Sequence, residues 1–407
     1  MRILITSTLY PPVAFGGYES ECGGVVERLR EHHEVLVLTA NWHADEAPEE
    51  AGVRRVLPLL TADLKGSLRA PAAALRGAAI AREALRWRPD LVYIWNGSGI
   101  PQSALRVLVD AGVPVAVRVC EYWFTYLFRA DQFLRELLPA QRSVPRAAWS
   151  SLCRCTNRLP GLRLDPLAPV PMAISWNSAA VARMSPVPEF VEPVLEETQH
   201  PVPRWGDVFA SVTPTPRPTL EIVFVGRVTP YKGVRVAIDA LARLRSGVVP
   251  DARLTVIGPE DDGHGDELRR QAEALGVARA VSWLGPRTPQ EIAARLADAA
   301  ALIVPSTWDE PFGLVTIEGA LARVPVVASD VGGIAEGMRD EEHALLFRRG
   351  DAAGAARALT RVLTDRSATR ARVTRAHLHA QNYRLGPYLD GQAEFVKRAY
   401  EALRRLG

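Results

Sequence analysis

Pro305-Ser306-Thr307-Trp308-Asp309-Glu310-Pro311-Phe312-Gly313-Leu314-Val315-Thr316-Ile317-Glu318-Gly319-Ala320 is the stretch whose reading decides the fold. An apolar run, Ala301 to Val304, precedes it and reads as a buried strand. Pro311-Phe312-Gly313 then forms a turn, and a helix starts near Gly313-Leu314. Strand, loop and helix are the repeating parts of a parallel α/β sheet. Glu310 stands in the loop and Glu318 about a turn and a half into the helix, with seven residues between them. Both carboxylates can face one crevice beyond the carboxyl end of a strand, where open α/β sheets bind ligands. A second apolar run, Val324 to Ser329, and Gly332-Gly333 follow.

Outward from this stretch, the same alternation fills the C-terminal half. Leu220 to Val225 reads as a strand that ends in Gly226-Arg227, followed by Pro230-Tyr231-Lys232-Gly233 and a helix to about Arg245. Arg227 and Lys232 flank one loop. A guanidinium fork and a compact ammonium together suit a diphosphate. Lys232 stands out because the only lysines are Lys65, Lys232 and Lys397, an arginine-for-lysine skew typical of a GC-rich genome. Arg253 to Ile257 and Val281 to Leu284 read as further strands, the latter ending at Gly285-Pro286-Arg287. His343 to Phe347 reads as the last strand, with helices near 351–363, 368–379 and 388–406. His377 and His379 are expected on the surface of these helices.

The N-terminal half repeats the logic. Arg2 to Ser7 reads as a strand, Pro11-Pro12 and Gly16-Gly17 as a loop, and Tyr18 to Arg30 as a helix. Strand, glycine loop and helix N-terminus form a phosphate-binding arrangement, because free N–H groups point at the anion. The three-glycine dinucleotide spacing is absent, which argues against a nicotinamide enzyme. Strands are expected at 34–39, 53–57, 91–95, 113–119 and 172–175, with helices at 71–87, 101–110 and 177–184. Trp95 and Glu121 then stand at strand ends, Glu121 either near an acceptor or paired with Arg118 or Arg129. Gln141 to Arg163 contains no acid and spaces Arg142, Arg146, Arg154 and Arg158 by multiples of four. That pattern suits a solvated helix face, an anionic acceptor, or peripheral contact with an anionic membrane. Between Pro186 and Pro218 eight prolines read as an extended connection with room for one short strand.

Composition bounds the function. A chain of 407 residues exceeds one ordinary core, and 48% hydrophobic with 23% charged residues is a globular balance. A net charge of +3 gives no pull toward nucleic acid. The four cysteines lack metal or disulfide spacing, so no metal is expected and a reducing, cytoplasmic setting fits. No apolar run has the length of a membrane span or a signal peptide.

The chain resembles family 4 of the retaining, nucleotide-sugar-dependent glycosyltransferases of the GT-B fold. The resemblance rests on Glu310-Pro311-Phe312-Gly313 with Glu318, Pro325-Val326-Val327-Ala328-Ser329-Asp330 with Gly332-Gly333, and Gly226-Arg227 with Lys232-Gly233. It implies two Rossmann-like parallel-sheet domains with an interdomain cleft: an acceptor-side domain over 1–190, a linker over 191–218, a nucleotide-sugar domain over 219–386, and a helix over 387–407 that packs back toward the first domain. It implies sugar transfer from a nucleotide-diphosphate donor to the hydroxyl of a small-molecule, lipid or glycan acceptor, without metal or cofactor, by front-face substitution; the spacing of Glu310 and Glu318 leaves a carboxylate nucleophile as the alternative. Gly16, Gly17, Arg227, Lys232, Phe312, Gly313 and Leu314 would then meet the diphosphate, Glu318 the ribose, Gly285 and Arg287 the region of the base, and Glu310 the sugar. Many members carry a histidine that contacts the transferred sugar where this chain has Trp95; an indole there would stack on the sugar, wall off water, or simply pack. The competing classes are a non-catalytic nucleotide-sugar-binding protein, which the Trp95 departure favours, and a non-hydrolysing nucleotide-sugar epimerase.

Overall fold

The structure is a computed structural model that describes residues 1–13, 17–60, 64–125, 151–152, 154–155, 169–215, 219–261 and 263–406. The chain divides into two compact units, Met1–Gln199 with Gly386–Gly407, and His200–Leu385. Each is built on one parallel sheet.

In the first unit β1 (Arg2–Ser7), β2 (Glu34–Ala40), β3 (Val53–Leu57), β4 (Leu91–Trp95), β5 (Val115–Val119), β6 (Val170–Trp176) and β7 (Val191–Thr198) lie in the order β3-β2-β1-β4-β5-β6-β7. All six pairings are parallel. Such a sheet is covered on both faces, which is why β4 and β5 are buried along their whole length. Helices α1 (Gly17–Arg30), α2 (Leu64–Leu85) and α3 (Gln102–Asp110) connect the early strands, and α4 (Ala179–Met184) precedes β7. Helix α2 begins seven residues before Pro71, the start expected from sequence. Ser178 caps α4 by accepting from the Val181 amide at 3.0 Å.

The second unit opens with α5 (Gly206–Ser211). Its strands β8 (Glu221–Val225), β9 (Arg253–Ile257), β10 (Val281–Gly285), β11 (Ala301–Val304), β12 (Val326–Ser329) and β13 (Leu345–Phe347) lie in the order β10-β9-β8-β11-β12-β13. Numbered from its first strand, this is the 3-2-1-4-5-6 order of a dinucleotide-type sheet, and it reverses between β8 and β11. Helices α6 (Val234–Arg245), α7 (His264–Ala274), α8 (Pro289–Asp298), α9 (Leu314–Leu321), α10 (Ile334–Gly337), α11 (Ala352–Thr364) and α12 (Arg366–Ala380) cover it. The final helix, α13 (Leu385–Arg404), packs in the first unit through Phe395, Val396 and Ala399, all fully buried. Tyr93 donates to Gln392 Oε1 there at 2.8 Å.

The stretch 191–218 differs from the linker expected. Its first part is β7, which adds to the first sheet beside β6, and residues 206–211 form α5 in the second unit. The one short strand for which the stretch had room is β7, and it tolerates proline because it is an edge strand. There Pro193 forfeits no ladder bond that the fold requires. Gly16 and Arg129 lie outside the described residues, as does nearly all of the basic segment 141–163. Among the described residues no helix is long and apolar enough to cross a membrane.

Candidate active site

The switch point of the second sheet brings two loops together. The loop after β8 carries Arg227 and then a 3-10 turn, Pro230–Lys232. The loop after β11 runs from Pro305 to Gly313. Thr307 donates its amide to the Tyr231 carbonyl at 2.8 Å, which ties the loops backbone to backbone. Gly233 makes the approach feasible. Its φ is 73°, and a Cβ there would sit 1.9 Å from the Pro305 carbonyl oxygen.

This juxtaposition sets Lys232 against Glu310. The ammonium donates to both carboxylate oxygens, at 2.7 and 3.0 Å, and Ser306 Oγ donates to the same carboxylate. Glu310 is 4% exposed, so Lys232 compensates a carboxylate that is largely out of water. The ammonium also lies 5.7 Å from the centre of the Trp308 ring, which Tyr231 meets edge-on at 5.2 Å. Arg227 is exposed, with its guanidinium 5.7 Å from the Tyr231 ring and no acidic partner among the described residues. Lys232 and Arg227 therefore differ in this state: one charge is already held by Glu310, the other is open to an anion.

A third loop clamps Glu310 from behind. Gly333 donates its amide to the Glu310 carbonyl at 2.7 Å. Gly332, at φ 54°, packs so closely that a Cβ would lie 2.2 Å from that carbonyl oxygen. Phe312 follows and points inward at 2% exposure, stacked on His200 at 4.9 Å and 5.6 Å from Tyr383. Its ring is thus a core anchor, and the expected donor contact from Phe312 is open only to its backbone. Gly313 caps α9 with no side-chain bond, so the amides that begin at Leu314 open the helix without intrahelical partners.

Glu318 is the fifth residue of α9. It is partly exposed, and its carboxyl group makes no hydrogen bond or ion pair with the described residues. Close packing strips water from it and raises its pKa from 4.5 to about 7. Gly285 and Arg287 stand apart, at the end of the edge strand β10. Arg287 is exposed and donates to the Pro286 carbonyl at 2.8 Å.

In the first unit the structure bears on the alternatives left open for Trp95 and Glu121. Trp95 is fully buried, not at a rim. Its indole N–H donates to the Tyr18 carbonyl at 2.9 Å, and the ring meets Tyr93 edge-on at 5.6 Å. As the last residue of a central strand it lies under α1 and packs there. Glu121 is not paired with Arg118. That guanidinium is fully buried and donates to Glu21, Ser175, Asn177, Tyr388 and the carbonyls of Trp176 and Gln199. Glu121 accepts instead from Asn96 Nδ2 at 3.1 Å and Ser98 Oγ at 2.9 Å. Gly17 is the exposed first residue of α1.

His377 and His379 also depart from the expected surface role. His377 Nδ1 bonds the Ala320 carbonyl at 3.2 Å, and His379 Nε2 the Gly337 carbonyl at 2.9 Å. His379 stacks on His343 at 4.1 Å. Both imidazoles brace the C-terminal ends of α9 and α10. Ser306, Trp308 and Tyr231 were missed by sequence reasoning, although all three sit inside the motifs that located the site.

Residues 210–378 match the family model described as glycosyl transferases group 1. The D-inositol 3-phosphate glycosyltransferase of Stackebrandtia nassauensis is 36% identical over 156 residues, 37% of this chain and 35% of that protein. The glycogen synthase of Mycobacterium tuberculosis is 38% identical over 177 residues, 43% of this chain and 41% of that protein. The matched stretch thus spans well under half the length of these curated relatives. Among solved structures, HepE of Anabaena in complex with UDP superposes with a TM-score of 0.67 at 20% identity, over 98% of this chain and all of that one. The glycosyltransferase WaaG superposes with a TM-score of 0.63 at 17% identity, over 96% of this chain and 98% of that one. Residues 210–378 are thus similar to the glycosyl transferases group 1, and the two parallel-sheet units are those of the GT-B fold.

Proposed function

We propose that the protein transfers a glycosyl group from a nucleoside-diphosphate sugar to an acceptor hydroxyl, with retention at the anomeric carbon and without a resident metal. The observation that carries this reading is Glu318, a carboxyl near the sheet's switch point with no protein partner among the described residues and a pKa raised to about 7. A ribose diol supplies the two donors that such a group lacks, and their bonds favour its ionised form. The family match covers the same residues, and the UDP held by HepE makes UDP-sugars the first donors to test.

The chemistry then divides among residues already described. The glycosidic C–O bond to the diphosphate breaks while the acceptor oxygen bonds to the same face of the anomeric carbon. The acceptor proton passes to the departing phosphate oxygen, and the nucleoside diphosphate leaves. Arg227 and Lys232 stabilise the charge that grows on the phosphate, the role a metal would otherwise fill. Glu310 orients Lys232 and offers its carboxylate to hydroxyls of the sugar. The free thiols of Cys22, Cys120 and Cys155 suit a reducing, cytoplasmic setting.

A thermal-shift panel of UDP-, GDP-, ADP- and dTDP-sugars tests the donor site. A ligand at a hundred times its Kd adds about 2.7 kcal/mol. One base class should raise the melting temperature of the wild type and fail on Lys232→Ala. No shift with any member would sink the assignment. Anomeric configuration of the product, read by NMR, and full activity after EDTA treatment test retention and metal independence.

A further inference from the structure

The two cations of the loop after β8 share a feature that ion pairing does not explain: each lies over an aromatic ring. The Arg227 guanidinium is 5.7 Å from the centre of the Tyr231 ring, and the Lys232 ammonium is 5.7 Å from that of Trp308. The rings meet edge-on at 5.2 Å and 62°, so the contacts run Arg227, Tyr231, Trp308, Lys232. In such an arrangement a positive ring edge meets a negative ring face, which steadies each ring against the other. Backbone bonds set the same register. Thr307, the residue before Trp308, donates its amide to the Tyr231 carbonyl at 2.8 Å. Its hydroxyl reaches the Tyr231 and Pro230 carbonyls at 3.2 and 3.3 Å.

A ring and a carboxylate place a cation differently. A carboxylate cancels the charge, and an incoming phosphate must displace it. A ring face attracts the cation through its quadrupole and leaves the charge in place. The acids of the neighbouring loop are already engaged, Asp309 by Arg349 and Glu310 by Lys232 and Ser306. Arg227 is therefore left with the Tyr231 ring and, among the described residues, no acid. Lys232 has both kinds of contact, so the Trp308 ring still supports the ammonium when a phosphate competes with Glu310 for it. Both rings are half-buried, where a cation–π contact is stronger than at a fully exposed site. Long side chains lose rotamer freedom when a ligand fixes them, and ordering them beforehand lowers that cost.

We propose that Tyr231 and Trp308 are positioning residues for the donor diphosphate, whose rings hold Arg227 and Lys232 as a charged, pre-ordered pair. This rests on the donor reading above and adds two residues to it. Both act through the cations, so their loss weakens recognition of the phosphates and not of the base.

The test titrates the full-length protein with inorganic pyrophosphate and with the mono- and diphosphates of uridine, guanosine, adenosine and thymidine. Wild type is compared with Tyr231→Leu and Trp308→Leu, which remove a ring, and with Tyr231→Phe and Trp308→Phe, which keep one. Circular dichroism confirms that the variants fold. Each leucine variant should weaken the diphosphate and pyrophosphate about 3- to 30-fold, the range of one ring–cation contact, and so shrink the preference for diphosphate over monophosphate. The phenylalanine variants should stay within about threefold of the wild type. In the absence of nucleotide, the fluorescence that Trp308→Phe removes should change in Lys232→Met, which takes the cation from the ring. The proposal fails if the leucine variants weaken mono- and diphosphates alike, as a merely structural role would. It fails too if the wild-type preference survives them, or if phenylalanine restores nothing that leucine loses. Wild type that binds no nucleoside diphosphate and no pyrophosphate overturns the donor reading itself, and this proposal with it.

Discussion

At the scale of single residues, Glu318 and Lys232 carry opposite burdens. Glu318 has a folded pKa of about 7 against 4.5 unfolded, so folding disfavours its ionised form. Its contribution to stability is fully present below pH 4.5 and is lost as pH rises through 7, a loss of about 3 kcal/mol at most. Urea titrations between pH 4 and 8 should show that slope in the wild type and a flatter one in Glu318→Gln. Donor binding should reverse the preference. A UDP-sugar should release a proton near pH 6–7, read by calorimetry in buffers of different ionisation heat, and Glu318→Gln should abolish the release. Lys232 acts on a carboxylate that is already buried. Lys232→Ala leaves Glu310 without its cation and should destabilise the second unit by about 2–3 kcal/mol, somewhat less than a fully buried pair because the lysine remains partly exposed. Lys232→Met with Glu310→Gln should recover most of that stability but not donor binding.

At the scale of elements, the site depends on three loops packed against one another's backbone. Gly332 has a left-handed φ and no room for a Cβ against Glu310, so Gly332→Ala displaces the carboxylate even though it removes no polar group. Stability should fall by about 1–3 kcal/mol. A UDP titration should show donor affinity falling with it, whereas a conservative change at the exposed Leu378 should alter neither. The motifs Glu310 to Gly313 and Gly332-Gly333 were legible in the sequence because glycine and proline leave a local signature. The inward turn of Phe312 was not, because an aromatic beside a glycine loop reads the same whether it meets a ligand or His200. That the short strand allowed for in the proline-rich stretch joins the first sheet was not legible for a related reason: proline marks a break locally, and only an edge position in a sheet removes that penalty.

At the scale of the whole molecule, the final helix belongs to the first unit although the chain reaches it from the second. Phe395 is fully buried there, against Tyr93 at 6.1 Å. Phe395→Ala should destabilise the first unit by about 3–5 kcal/mol. Differential scanning calorimetry should then show one transition moving down, while the stabilisation that UDP confers on the second unit persists. A downward shift of both transitions together would mean that the units unfold as one.

The sequence by itself determined the alternating α/β class, the two-unit plan, the loops that hold Arg227, Lys232 and Glu310, and the helix that holds Glu318. These follow from periodicity, turn residues and spacing, all of which act within a few residues of chain. Only the tertiary structure decided which partners those side chains find. Trp95 became a core residue because a central strand is covered on both faces. Arg118 went to Glu21 because α1 and α13 close over β5. Glu121 was left to Asn96 and Ser98 because the chain order reverses at β1 and β4. Burial and pairing depend on residues from 23 to 270 positions apart, and no local pattern encodes which of them will meet.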